Sequence, residues 1–290
     1  MPPSGWPHRE HSRAVQAAGL DWHVQVLGSG PTLLLLHGSG SSAHSWADLL
    51  PLLAPHATVV APDLPGHGFT TGARVAGLTL PQGREALAAL LHAVKLPAPT
   101  WVLGHSAGAA LALRWALDAP QPPRAVLGLN PSLVAPPAAY LQWAAPFVNP
   151  VATSAPIGHL LARLAGPTGF VDRLLSSTGS AVPLASRARY RQLFANPAHV
   201  RGAMGFMAAA DLPGLLPACA RLPCPAAFVI GERDRWVPQA ALRAVLARHL
   251  PQARVQAWPG GHLLHEEEPV RAAAWVLGHI KPTGGGHTGP

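Results

Sequence analysis

Short apolar runs, each stopped by a turn-forming residue, recur along the chain. They are 32–36 (TLLLL), 58–62 (TVVAP), 101–104 (WVLG), 125–129 (AVLGL), 226–230 (AAFVI) and 254–258 (RVQAW). Runs this short and this continuous predict strands buried on both faces, as in a parallel sheet. Residues 20–27 (LDWHVQVL) alternate only partly and predict a strand near an edge. Between the runs the period changes. Leu80, Leu87, Leu90, Leu91 and Val94 share one helical face, and Thr79 with Gln82 forms a capping-box pattern at its start. Leu242, Val245 and Leu246 mark a second helix over 239–249, opened by Pro238. Strand alternating with helix predicts an α/β fold: a mostly parallel sheet of the eight-stranded type with helices on both faces.

The alternation fails from 131 to 213, where no strand pattern appears and short helices are expected between Pro and Gly. Asn196-Pro197 is a strong helix start, with Asn as N-cap and Pro in the first turn. The expected organisation is therefore a first core part (1–130), an inserted helical lid (131–213), a second core part (214–281) and a disordered tail (282–290, PTGGGHTGP).

Apolar residues make up 49% of the 290 and charged residues only 12%, so a large core can be buried. The formal charge of +8 suggests nucleic acid, but the Lys and Arg residues are scattered and none adjoins another, so no nucleic acid is expected. Attraction to an anionic membrane surface or an acidic partner fits better. Cys219 and Cys224, the only cysteines, have no ligand pattern around them and read as reduced thiols. The first residues (MPPSGWPHREHSR) lack an apolar core, so no signal peptide is expected. No uninterrupted apolar run is long enough for a membrane span.

Chemistry concentrates where strands end. In "WVLGHSAGAALALRW" Ser106 stands between Gly104 and Gly108, at the junction of a buried strand and an apolar helix. A G-x-S-x-G turn there lifts the hydroxyl to the sheet edge, beside the free N–H groups of a helix start. Such a serine needs a base and an acid; in folds built around this kind of turn they follow in the chain order Ser, acid, His. "FVIGERDRWVP" offers Asp234, with Glu232 as its rival; "WPGGHLLHEEEP" offers His262, with His265 as its rival. "LLLLHGSGSS" offers backbone N–H groups for an oxyanion, and Ser39 and Ala107 are the expected donors. His37 reads as a hydrogen-bonding residue of that loop, and Asp63 in "PDLPGHGFT" as a structural one. His37, His105, Trp143, Met204 and Met207 are the candidate lining of a substrate pocket. Met204 and Met207 share a helical face that, turned to the site, would suit a flat apolar ligand. No His/Asp/Glu cluster has metal-ligand spacing and no phosphate-binding loop is present, so neither metal nor cofactor is expected.

Taken in order, these four motifs resemble the α/β-hydrolase superfamily over residues 20–281. Within it, "SRAVQAAGLDWHVQVLGSGP", "LLPLLAPHATVVAPDLPGHGFT", "GHSAGAALALRWALD", "STGS" and "ANPAHVRGAMGFMAAADL" resemble the magnesium chelatase accessory proteins of bacteriochlorophyll biosynthesis. The superfamily resemblance implies Ser106, Asp234 and His262 as the triad. The narrower one implies a cytoplasmic protein of a photosynthetic bacterium, peripheral to the membrane at most, serving magnesium insertion into protoporphyrin. Two roles follow. One is a serine hydrolase of an ester, thioester or amide. The other is an accessory protein that binds a porphyrin or chelatase subunits, with the triad secondary. Fold alone does not choose between them, nor exclude perhydrolysis or carbon–carbon cleavage by the same residues.

Overall fold

The computed structural model describes residues 1–72, 78–135, 149–151, 153–165 and 169–280. Eight strands form one sheet: β1 (Ser12–Ala17), β2 (Leu20–Leu27), β3 (Thr32–Leu36), β4 (Thr58–Pro62), β5 (Trp101–His105), β6 (Ala125–Leu129), β7 (Ala226–Gly231) and β8 (Arg254–Trp258). Their order is β1-β2-β4-β3-β5-β6-β7-β8. β2 pairs antiparallel with β1 and β4, and β4, β3, β5, β6, β7 and β8 run parallel.

The predicted strands are all present. β1 was not legible, because half its residues face water and it has no apolar run. It joins β2 through Ala18 and Gly19, both at positive φ, which gives the turn a twist that matches its strands.

Side chains alternate across the sheet. Leu34, Leu36, Val60, Val102, Val126, Phe228 and Ile230 enter one core. It is covered by α2 (Leu80–Ala93), α3 (Ala107–Asp118) and α9 (Gln239–His249). Leu33, Leu35, Val59, Ala61, Leu103, Leu127, Leu129 and Val229 enter the other, under Trp46, α1 (Leu50–Leu53) and α11 (Pro269–Ile280). Thr79 and Gln82 close the predicted capping box on α2.

Between β6 and β7 lie α4 (Ala155–Ala165), α5 (Phe170–Ser177), α6 (Leu184–Phe194) and α7 (Pro197–Ala209), and no strand occurs among the described residues of 131–213. Asn196 caps α7 by accepting from the Ala198 N–H. α8 (Leu212–Ala218) returns the chain to the first core through Leu212, Leu215 and Leu216. A short α10 (Leu264–Glu267) precedes α11. Cys219 and Cys224 are free thiols. The tail from 282 lies outside the described residues.

Candidate active site

The parallel strands all end at one edge, and the sequence places its polar motifs there. β5 turns into α3 through Ser106, whose φ of 51° and ψ of −121° lie in strained territory for a residue with a Cβ. Two glycines make the turn possible. A Cβ on Gly104 would stand 2.5 Å from the Ala109 backbone, and one on Gly108 2.2 Å from the Leu36 carbonyl. Strand, helix and neighbouring strand therefore close up around the serine and hold its hydroxyl at the edge.

The Ser106 Oγ lies 2.9 Å from Nε2 of His262. The other ring nitrogen of His262, Nδ1, lies 2.8 Å from a carboxylate oxygen of Asp234. The second Asp234 oxygen accepts the N–H groups of Trp236 (2.8 Å) and Val237 (3.0 Å), so that carboxylate is fully engaged. Glu232 is exposed, and it is Asp234 that holds the His262 ring. His265 is buried, with its Nε2 at 3.3 Å from Ser45 Oγ and its ring centroid 4.3 Å from that of His105, the two planes inclined at 48°. Burial, then the neighbouring imidazoles, hold it well below the ordinary histidine range. The structure thus brings Ser106, His262 and Asp234 together and leaves both rivals aside.

The His37-Gly38-Ser39-Gly40 loop lies across from Ser106. His37 Nε2 accepts the Leu64 N–H at 2.9 Å, which leaves the proton on Nδ1 to be donated to the Gly38 carbonyl at 2.8 Å. A trans peptide points its C=O and N–H in opposite directions, so this bond also orients the Ser39 N–H. Ala107 is the first residue of α3, and its N–H has no intrahelical acceptor.

A model of the alpha/beta hydrolase family matches residues 33–275. The chain belongs to the alpha/beta hydrolase family. It is 36% identical over 275 residues to the magnesium-chelatase 30 kDa subunit of Rhodobacter capsulatus, covering 91% of this chain and 92% of that one. It is 34% identical over 247 residues to a pimeloyl-[acyl-carrier protein] methyl ester esterase of Xanthomonas campestris, covering 82% and 90%. Among solved structures, the enol-lactonase from Burkholderia xenovorans LB400 superposes with a TM-score of 0.73 at 20% identity, over 92% of this chain and 97% of that one, a likeness of fold.

In this alpha/beta hydrolase the space beside Ser106 is a narrow cleft. Its walls include Leu174, Leu175, Phe194, Trp236 and Leu263, with Ser39, Ser41, Tyr190 and Thr178 as polar points. It holds about 30 Å³, room for roughly two water molecules and far below the ~300–1,000 Å³ of a drug-sized pocket. His105 is among the residues beside it, with Nε2 donating to the His262 carbonyl at 2.9 Å. Burial, followed by the charge of His262, lowers His105 to about 3, so it stays neutral.

Three pocket expectations are corrected. His37 is fully buried behind its loop and spends both nitrogens on backbone, so it does not line the cleft. Met204 and Met207 do not line it either. α7 turns His199, Ala203 and Phe206 inward, which leaves Met204 half-buried and Met207 65% exposed. Trp143, with Tyr140 and Phe147, lies outside the described residues.

Several residues that shape the site carried no local signal in the sequence. Asn130 ends β6 and ties the His262 loop to β7: its amide donates to the carbonyls of Gly261 (2.7 Å) and His262 (2.8 Å) and accepts the Gly231 N–H. Thr178 and Ser180, in the inserted segment, accept the N–H groups of His262 (3.1 Å) and Leu263 (2.8 Å). Trp236 stands at the mouth, with its ring 5.3 Å from that of His262 and its Nε1 donating to Ser177.

Asp63 matches its structural expectation. It is fully buried and accepts from Ala43 N–H, Phe69 N–H and the His23 ring. Burial alone would raise it, but the His23 imidazole and these donors bring it down to about 2. Among the described residues, no group of three or more His, Cys, Asp or Glu could hold a metal ion.

Proposed function

We propose that this chain is a serine hydrolase that cleaves an ester through Ser106, His262 and Asp234. The observation that carries this is the unbroken relay: 2.9 Å from Ser106 Oγ to one nitrogen of His262, and 2.8 Å from the other to Asp234. With Asp234 accepting a hydrogen bond from Nδ1–H, Nε2 is left as the base. Ser106 Oγ attacks the ester carbonyl as its proton passes to Nε2. The oxyanion that forms takes the N–H groups of Ser39 and Ala107. When the carbonyl–alkoxy bond breaks, His262 returns the proton to the departing alkoxide. Water then attacks the acyl-serine by the same route, and the acid leaves.

The cleft supports a restriction on what is cleaved: only a small group fits beside Ser106, so the bulk of a larger substrate stays at the mouth near Trp236. That is consistent with a methyl ester substrate, the class named for the Xanthomonas relative. A fluorophosphonate should label Ser106, and Ser106→Ala should abolish both labelling and turnover of p-nitrophenyl acetate. Equal labelling of the alanine variant would sink the assignment.

The extent of the match to the chelatase subunit favours a second, compatible reading: the reaction serves bacteriochlorophyll synthesis near magnesium insertion, in the cytoplasm or at a membrane surface. No single helix among the described residues is long and apolar enough to cross a membrane. A porphyrin ring does not fit the described cleft, so any tetrapyrrole substrate would present only an ester side chain to Ser106. Loss of pigment synthesis in a strain carrying Ser106→Ala would support a catalytic role; full retention would leave only the accessory one.

A further inference from the structure

The inserted helices grip the oxyanion loop at three consecutive residues. Ser39 Oγ donates to the Ala203 carbonyl of α7 at 2.8 Å. The Gly40 carbonyl accepts from Nε2 of His199, also on α7, at 3.1 Å. Ser41 Oγ lies 3.1 Å from the hydroxyl of Tyr190 on α6, which itself donates to the buried Glu266 at 2.7 Å. α7 sits against the core with no room to spare: a Cβ on Gly202 would stand 1.9 Å from the Gly66 carbonyl.

His199 is the residue whose bonds reach furthest. It is 1% exposed, and its Nδ1 accepts the Gly68 N–H at 3.0 Å. The proton must then sit on Nε2, which gives it to Gly40. That fixes the carbonyl end of the Gly40–Ser41 peptide. The N–H end of the same peptide donates to the Gly38 carbonyl at 3.2 Å. The Gly38 carbonyl belongs in turn to the peptide whose other end is the Ser39 N–H. Two linked peptide planes therefore connect the His199 ring to the proposed oxyanion donor.

We infer that His199 is a positioning residue for the oxyanion hole: its imidazole, clamped between Gly68 and Gly40, sets the direction of the Ser39 N–H. The inserted segment is on this account a fixed wall of the active site at α7, not a flap that must open there. Burial, followed by the charge of nearby His67, keeps His199 neutral down to about 3, so the clamp persists across the working range of pH. The inference rests on Ser106 being the nucleophile.

The test compares His199→Phe, which keeps a ring but no donor, with His199→Gln, whose amide N–H reaches the position of Nε2. On p-nitrophenyl acetate, His199→Phe should lower kcat by about ten- to a hundredfold, the scale of a small misplacement in a catalytic site, while KM changes less than about twofold. His199→Gln should recover most of the loss, and fluorophosphonate labelling of Ser106 should slow in parallel with kcat. Ser39→Ala, which keeps the backbone donor but frees it from Ala203, should give a smaller loss in kcat. Should His199→Phe fail to fold, His199→Asn, whose shorter amide can still accept from Gly68 but does not reach the Gly40 carbonyl, takes its place with the same expected loss. Unchanged kcat and labelling in a folded His199→Phe, or a Gln variant no better than Phe, overturns the positioning role while Ser106 stands. Full turnover by Ser106→Ala overturns the hydrolase reading, and the role of His199 with it.

Discussion

The side-chain amide of Asn130 donates to the carbonyl of His262 at 2.8 Å, although the two residues are 132 positions apart. The same carbonyl accepts from Nε2 of His105, next to Ser106. The loop bearing the proposed base is thus fastened from the ends of both β5 and β6. Asn130→Ala should leave three buried backbone groups, the Gly231 N–H and the Gly261 and His262 carbonyls, with fewer partners. A loss of about 1–3 kcal/mol in stability is expected, with kcat reduced more than KM is raised. Urea unfolding and steady-state kinetics measure the two.

Asp234 and Glu232 offer a sharper comparison. Asp234→Asn places an amide donor where His262 Nδ1 needs an acceptor, so kcat should fall by about 10³–10⁴. Glu232→Gln, exposed and unattached to the relay, should stay within a factor of about two. A reversed result would transfer the acid role to Glu232.

Asp63 should matter to the fold. Its buried carboxylate satisfies His23 and two backbone N–H groups. Asp63→Ala should cost roughly 3–5 kcal/mol, as for breaking a buried pair by removing one partner. Calorimetry of the variant would contradict this if the melting temperature held.

Stability should fall steeply on the acid side. His44, His67, His105 and His199 are lowered by burial to about 3–4, and His37 and His265 well below the ordinary 6.5. Below 6.5 the unfolded chain takes up protons that these folded imidazoles refuse. Their contribution is therefore fully present above 6.5 and is lost as pH falls toward their folded values, each by up to about 1.4 kcal/mol per pH unit. Glu266 acts in the opposite sense. Burial raises it from 4.5 to about 7, so its contribution is present below 4.5 and is lost as pH rises through 7. Six groups against one set the sign. Urea midpoints at pH 7, 6 and 5 should decline, and His44→Gln should flatten the decline. A level series would contradict the prediction.

The parallel sheet and the places of its chemistry are legible in short stretches of the chain. Apolar runs such as 32–36 and 101–104 have no alternative to burial on both faces, and glycines flank Ser106 because strand and helix approach there within a Cβ's reach. Each is a local constraint, written in neighbouring residues. That Ser106, Asp234 and His262 can meet follows from strands that all end at one edge.

Which side chains meet across long separations is settled by the fold. Exposure separates Asp234 from Glu232, and burial beside Ser45 removes His265, yet the members of each pair stand only two or three residues apart in the chain. The facing of α7 was equally hidden: its apolar residues surround the helix broadly enough that Met204 and Met207 read as well as His199 and Ala203 for the inward face. The choice was made by the close approach of Gly202 to Gly66 and by the hydrogen bonds of His199 to Gly40 and Gly68, contacts made with loops more than 130 residues away.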